Sequence, residues 1–176
     1  MSVVQAGDLV LRQRAEPLTP EEIAGAGKLI EHMWAVLHEV RGVGLAAPQV
    51  GVGKRLAIVH DLPEFTAEAP DDWLAERERA PIEPYVLINP ELEPVGDETR
   101  TFYEGCLSVS GYAAAVTRHR GVRVRWLDER GEPHEAVRTG WHARILQHEC
   151  DHLDGVLYVD RMDSRTLLAV DHHPVP

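Results

Sequence analysis

The sequence predicts an α+β fold in which short, mostly antiparallel strands pack around a central helix that carries an H-E-x-x-H motif. The chain has 176 residues, of which 44% are hydrophobic and 27% charged, a composition typical of one folded domain. Short strand-like segments separated by turn residues fill its second half. One later segment has apolar residues on two sides at helical spacing, which indicates a buried helix. We expect a single domain, 1–176, because no repeat or linker marks a second one.

The charge balance excludes several classes of partner. The chain has 18 Lys and Arg against 29 Asp and Glu, a net charge of −11. Binding to nucleic acid depends on basic side chains that neutralise phosphates, so we expect no nucleic-acid partner. No apolar run approaches the roughly 20 residues that cross a bilayer, and the first ten residues do not resemble a signal peptide. We therefore expect no membrane partner and a cytoplasmic location.

The first element is a helix that begins at a capping box. Thr19 and Glu22 stand three residues apart around Pro20, so each side chain of the pair can bond the other's backbone N–H. Apolar residues then recur at spacings of 3, 4, 3 and 4, namely Ile23, Ala26, Ile30, Met33 and Leu37. This single stripe predicts a helix that continues to about Val40 and buries the stripe in the core.

Two segments of contrasting composition follow. Residues 41–53 are small and glycine-rich, which predicts a tight, close-packed loop leading into a strand at 55–60. The 61–84 segment has eight acidic residues, two Arg and four Pro, and its net charge of −6 is more than half of the total. That composition is typical of an exposed loop or insertion.

The second half contains the remaining strands. We expect them at 85–89, 112–116, 122–127 and 134–138, with the D-E-R-G turn at 128–131 joining the last two. A helix then extends from about 139 to 153, and residues 161–176 form a short tail.

The H-E-x-x-H motif lies on that last helix. Residues four apart on a helix are about 40° apart around its axis, so His148 and His152 can share one metal ion. Glu149 can then reach a water molecule as a general base. The alternative is a pair of core histidines held by hydrogen bonds.

A catalytic metal ion generally has three protein ligands and one open position, so a third ligand is needed. Upstream, Cys106 offers a thiolate, a softer and stronger ligand than a carboxylate. Cys150 follows His148 by two residues and points about 200° away, which excludes it. Downstream candidates also exist near the helix end and in the tail: Asp154, Asp160, Asp163, Asp171, His172 and His173. The spacing leaves this choice open.

Three segments together resemble, in order and spacing, the signature motifs of peptide deformylase of the bacterial type. They are G-V-G-L-A-A-P-Q at 42–49, E-G-C-L-S at 104–108 and Q-H-E-C-D-H-L-D-G at 147–155. The resemblance implies that Cys106, His148 and His152 hold one divalent metal ion. It further implies Fe(II) in the cell, with Ni, Co or Zn possible after purification.

The same resemblance implies a hydrolase that removes formate from the N-formyl-Met end of newly made proteins, with formylated peptides or nascent chains as partners. Glu149 would accept the proton of the attacking water and pass it to the leaving amine. The Leu107 backbone N–H and the Gln49 side-chain amide would stabilise the oxyanion, together with the metal. Gly44 would bond the substrate backbone. The pocket for the Met side chain is expected to be lined by Val43, Trp141 and Ile145.

Two other functions are compatible with the motif. One is an H-E-x-x-H metallopeptidase with its third ligand in the tail. The other is a non-catalytic homologue with a structural metal, although structural sites are closed by four protein ligands and do not need Glu149 or Gln49. The residues after Gly155 are too few and too weakly charged to support a prediction of ribosome contact.

Overall fold

Two antiparallel sheets make up the framework, and the helix that carries the H-E-x-x-H motif contacts both. The computed structural model describes residues 2–67 and 69–171. The predicted α+β class is confirmed. Among these described residues, none of the helices is both long enough and apolar enough to span a lipid bilayer.

The amino-terminal helical region consists of two helices, so the prediction of one continuous helix is wrong. Helix α1 spans Pro20–Gly25 and helix α2 spans Gly27–Glu39. The predicted capping box is present, with the Thr19 N–H donating to the Glu22 carboxylate at 2.9 Å. The break falls at Ala26, where glycine on both sides lowers the cost of leaving helical geometry. The predicted apolar stripe stays buried across the break.

The larger sheet has five strands in the order β1-β2-β3-β6-β7. Their bounds are Gly44–Ala46, Leu56–Asp61, Ile82–Pro94, Gly121–Leu127 and Pro133–Thr139. The strands predicted at 55–60, 85–89, 122–127 and 134–138 are confirmed, as is the turn at 128–131. The predicted loop at 41–53 is partly wrong, because it contains β1 and a 3₁₀ turn, Ala47–Val50. Strand β1 pairs with β2, with Gly44 opposite Val59.

The smaller sheet has three strands in the order β4-β5-β8, with bounds Thr99–Cys106, Val109–His119 and Leu168–Ala169. Strand β5 contains the strand predicted at 112–116. Strand β4 is missing from the predicted elements because its first three residues, T-R-T, are exposed and polar and produce no apolar alternation. Strand β8 pairs with β5 and so ties part of the predicted tail to the sheet.

The 61–84 segment is more ordered than its composition suggests. It contains helix α3, Asp71–Arg77, and its last residues belong to β3. Asp61 is fully buried and accepts two hydrogen bonds from the Arg79 guanidinium, at 2.8 and 2.9 Å. The expectation of an exposed loop is therefore partly wrong, because Asp61 and Arg77 are buried and residues 71–77 are helical, while acidic residues such as Asp72 are exposed.

Helix α4, Gly140–Leu153, matches the predicted helix within one residue. It is buried on two sides, as predicted. One side packs on the larger sheet, where Ala143, Leu146 and Leu153 are fully buried beside strand residues such as Leu87. The other side faces the β4–β5 hairpin, where the Arg144 guanidinium donates to the Val116 carbonyl at 3.0 Å. The fold thereby holds the H-E-x-x-H residues beside the end of β4.

Candidate metal centre

Cys106, His148 and His152 come together where the end of β4 meets α4. One potential ligand atom from each lies within 4.8 Å of the others. The Cys106 Sγ and His152 Nε2 atoms are 3.2 Å apart. In the described part of the chain, no other group of three or more His, Cys, Asp or Glu side chains could hold a metal ion. Cys106 is thus the third potential ligand, while His172 and His173 lie outside the described residues.

The three side chains fit a divalent cation. The His148 Nδ1 atom bonds the Glu104 carboxylate at 3.0 Å, which leaves Nε2 for a metal and matches the carboxylate–histidine–metal arrangement of many sites. Burial disfavours the charged form of His148, yet hydrogen bonds with Cys106 and Glu104 outweigh it and hold the His148 pKa well above its ordinary value. The same two neighbours, Cys106 and Glu104, would also favour a metal cation bound at His148. Burial holds the pKa of His152 well below its ordinary value, so His152 is in the neutral form that binds metals.

Cys150 does not face this site. It is a free cysteine, 8% exposed, and burial raises the pKa of its thiol to about 12. A thiol that stays protonated at neutral pH is a poor ligand and nucleophile. Cys150 is therefore a packing residue, as its helical position indicated.

A buried ionic network lies behind His148 and centres on Glu104. The Glu104 carboxylate accepts hydrogen bonds from Arg118 at 2.6 and 2.9 Å and from Arg144 at 2.6 Å. Burial opposes ionisation of Glu104, but the bonds to His148 and Arg118 hold its pKa far below the ordinary range, so it is ionised. Arg118 also donates to Asp151 at 2.7 Å, which links the network to α4 again.

The sequence patterns assign no role to Glu104, although it lies two residues before Cys106. Alternate residues of a strand share a face, and this spacing would have pointed to Glu104 had β4 been predicted. Its contacts identify it as the group that orients His148.

Replacing Glu104 with Gln is expected to weaken metal binding about 10–100-fold, the usual cost of removing a carboxylate that orients a histidine ligand. The amide keeps the size of the carboxylate but carries no charge to hold His148 and two buried guanidinium groups. Metal affinity can be measured by competition with a chelator. The matched control is Glu98→Gln, which removes an exposed ion pair with Arg100 in the adjoining part of the hairpin. Equal affinity of the Glu104 variant and the wild type would contradict this role.

Gln49 lies in the 3₁₀ turn after β1 and is only 1% exposed. Its Oε1 atom accepts a hydrogen bond from the Ala46 N–H at 2.8 Å, which fixes the orientation of the amide. The Nε2 atom then points to Ser108 Oγ at 3.3 Å and to Cys106 Sγ at 3.7 Å. An amide donor is therefore held beside the cysteine. Gln49 is therefore buried, unlike most polar side chains in loops.

Glu149 lies on the other side of the site, against β1. It is 4% exposed, and its Oε2 atom has no hydrogen-bond partner in the described part of the chain. Burial raises the pKa of Glu149 to about 7. A Cβ atom at Gly44 would overlap the Glu149 carboxylate, so glycine is required for this close approach. A buried carboxyl with a pKa near neutrality is suited to accept and return a proton.

A cavity of about 980 Å³ opens onto these groups. The structure places every residue predicted for the site except His152 along its wall, including Gln49, Cys106, His148 and Glu149. The residues predicted for the side-chain pocket and the substrate backbone also line it, namely Val43, Gly44, Trp141 and Ile145, and so does Leu107, whose backbone N–H is a predicted oxyanion donor. His152 lies behind Cys106 and is fully buried. The cavity is large enough for a short peptide beside the three potential ligands.

The chain is similar to known proteins over almost its whole length. The family model described as polypeptide deformylase matches residues 1–167. The chloroplastic peptide deformylase 1A of Solanum lycopersicum is 44% identical over 99% of this chain. Peptide deformylase 1 of Streptomyces coelicolor is 47% identical over 95% of this chain and 75% of the relative. The chain spans 64% of the length of the tomato protein and 65% of its Arabidopsis thaliana counterpart.

Solved structures of peptide deformylases are also similar to this chain. The class I type b peptide deformylase of Acinetobacter baumannii with bound Met-Ala-Ser has a TM-score of 0.81 and 35% sequence identity. The match covers 92% of this chain and 98% of that one. A peptide deformylase from Synechococcus elongatus in complex with actinonin has a TM-score of 0.78 and 38% identity, covering 94% of this chain and 82% of that one.

Proposed function

The chain belongs to the peptide deformylase family, and from this premise we propose that it removes the formyl group from the N-formyl-Met end of newly synthesised proteins and releases formate. The observation that carries the proposal is the grouping of one thiol, two imidazoles and the buried Glu149 carboxyl at one end of a peptide-sized cavity. The proposed substrates are formylated peptides or nascent chains, and the proposed location is the cytoplasm.

Peptide deformylases are metalloenzymes, and we propose that Cys106, His148 and His152 hold the metal. Such a divalent ion, when bound, supplies a Lewis acid that lowers the pKa of water. We propose Fe(II) in the cell, with Ni, Co or Zn replacing it during purification. A thiolate ligand on oxidisable iron would make the activity sensitive to oxygen and peroxide.

Glu149 is proposed as the general base and acid. It would take the proton from the attacking water and deliver it to the nitrogen that leaves with the peptide. Its pKa of about 7, caused by burial, suits both directions of transfer at neutral pH. Gly44 allows this carboxyl to lie against the strand that would bind the substrate backbone.

When the formyl carbon is attacked, negative charge develops on the formyl oxygen, and this oxyanion needs hydrogen-bond donors that are already in position. We propose the Gln49 amide and the Leu107 backbone N–H. The bond from the Ala46 N–H to Gln49 Oε1 supports this role, because it directs the amide NH₂ toward the metal ligands. The apolar side chains of Val43, Trp141 and Ile145 would receive the Met side chain of the substrate.

The test is formate release from formyl-Met-Ala-Ser by protein that has been purified without oxygen and loaded with Fe(II) or Ni(II). We expect stoichiometric formate and free Met-Ala-Ser. Unformylated Met-Ala-Ser is the control, since a metallopeptidase would cleave its internal bonds and a deformylase would leave it intact. Absence of formate from fully loaded protein would contradict the proposed function.

A further inference from the structure

We propose that the 61–84 segment is a specificity element of the substrate pocket, and that Trp73 is its positioning residue. In this proposal Trp73 holds Trp141 in place and so determines which first residue the enzyme accepts. The inference rests on the proposed function, because it concerns the pocket for the first side chain of a formylated peptide. It assigns a role to a segment whose composition alone indicated only a solvated loop.

The first step is the contact between the two indoles. Trp141 lines the cavity, and its ring centroid lies 6.3 Å from that of Trp73 on α3, at an interplanar angle of 49°. Phe102 packs against Trp141 at 6.4 Å. The Trp141 Nε1 atom is buried and has no hydrogen-bond partner in the described ranges. Because no polar bond holds the indole, its orientation depends on the rings that pack against it.

The second step is the layer of guanidinium groups between these rings. The Arg77 guanidinium carbon is 4.1 Å from the Trp73 ring centroid and 4.7 Å from that of Phe102. The Arg79 guanidinium carbon is 5.3 Å from the Trp141 ring and 5.7 Å from the Trp73 ring. Planar guanidinium groups stack well on aromatic faces. Two arginines of the 61–84 segment thus join Trp73 to Trp141 of the pocket wall and to Phe102, which packs against Trp141.

The third step is the attachment of the segment to the body of the protein. Asp61 and Arg79 form the buried bidentate pair described above. Glu78 accepts hydrogen bonds from Arg120 at 2.5 and 2.8 Å. At Gly140, where φ is +61°, a Cβ atom would overlap Glu78 and lie 2.9 Å from the Arg77 carbonyl oxygen. Gly140 immediately precedes Trp141, so the end of α3 is pressed against the start of α4.

These contacts have a consequence for substrate choice. A side-chain pocket distinguishes substrates by what its walls exclude, and a wall that can retreat excludes less. Removing the Trp73 indole would leave space into which Trp141 could move. Larger first residues, such as Phe, would then be accepted more readily, while Met would be held less closely.

The experiment compares Trp73→Ala with wild type on formyl-Met-Ala-Ser and formyl-Phe-Ala-Ser. We expect the ratio of the two kcat/KM values, Met over Phe, to fall roughly tenfold, a change of the size that one pocket wall produces. For the Met substrate the effect should be larger on KM than on kcat. Trp73→Phe should restore most of the ratio. If the Ala variant does not fold, Trp73→Leu is measured by the same criterion.

The matched control is Trp126→Ala. Trp126 is also half-buried and packs against Tyr85 and His134, and it is not among the residues that line the cavity. We expect its Met-to-Phe ratio to equal that of wild type, whatever the loss of thermal stability. An unchanged ratio in the Trp73 variants, or an equal shift in Trp126→Ala, would overturn the inference. The Met-to-Phe ratio can be measured only if the wild type is active. An inactive wild type would therefore contradict the proposed function, whereas an unchanged ratio would contradict only the role of Trp73.

Discussion

Replacing Glu149 with Ala is expected to lower kcat/KM for formyl-Met-Ala-Ser by about 10³-fold, within the range ascribed to a general base and acid. Glu149 is not one of the three potential ligands, and its Oε2 atom has no partner in the described part of the chain, so its removal breaks no observed bond there. The metal content should therefore stay near that of wild type. Formate release and elemental analysis of the same preparation measure both quantities.

Glu149→Gln separates the proton-transfer role from simple loss of volume. We expect the Gln variant to be as inactive as the Ala variant, because an amide cannot accept the proton of water at neutral pH. Glu135→Gln is the control, since Glu135 is exposed and pairs with two arginines on the neighbouring strand, away from the cavity. Activity of Glu149→Gln close to wild type would contradict the assignment of this residue as the base.

Glu149→Gln is also expected to change the free energy of unfolding of the metal-free protein. Burial raises the pKa of Glu149 to about 7, above its ordinary value of 4.5. A carboxyl with a raised pKa lowers stability once the pH exceeds its unfolded-state pKa, and the cost is complete above the folded pKa. Glu149→Gln should therefore be at least as stable as wild type at pH 8. Urea unfolding at that pH measures the difference.

Replacing Cys106 with Ala is the second change with a large expected effect. It removes the only one of the three potential ligands that can bind a metal as an anion, and two histidines alone bind divalent metals much more weakly. We expect the metal content after dialysis to fall to about a tenth or less, with formate release reduced in proportion. Elemental analysis and the formate assay test the two parts separately.

The chain contains its own matched control for this experiment, because Cys150 lies two residues from each of the two histidines and faces the packing side. Cys150→Ala should keep its metal and its activity and lose only about 1 kcal/mol of stability through lost packing. Full metal content and activity in Cys106→Ala would contradict the ligand assignment. That result would instead favour a third ligand from the tail.

Some of the site could be predicted from the sequence because its geometry is local. His148, Glu149 and His152 lie on one helix, and helical spacing alone places both imidazoles on one side. The helix was predictable because apolar residues recur on two of its sides, and the capping box at Thr19 was predictable from four consecutive positions. The motif at 104–108 supplied Cys106 as a candidate ligand by resemblance, while spacing left the tail residues open.

The rest depended on contacts between residues that are distant in sequence, and no local pattern encodes those. Only the folded structure brings Cys106 to within 4.8 Å of two histidines more than 40 residues away. The same holds for Glu104, whose strand was hidden by its exposed polar start, and for Trp73, whose acidic surroundings suggested a solvated loop. In the structure Trp73 packs against Trp141 because the buried Asp61–Arg79 pair and the contact at Gly140 bring its helix to the pocket wall. Periodicity reports which residues are buried, whereas the packing of separate elements determines what they are buried against.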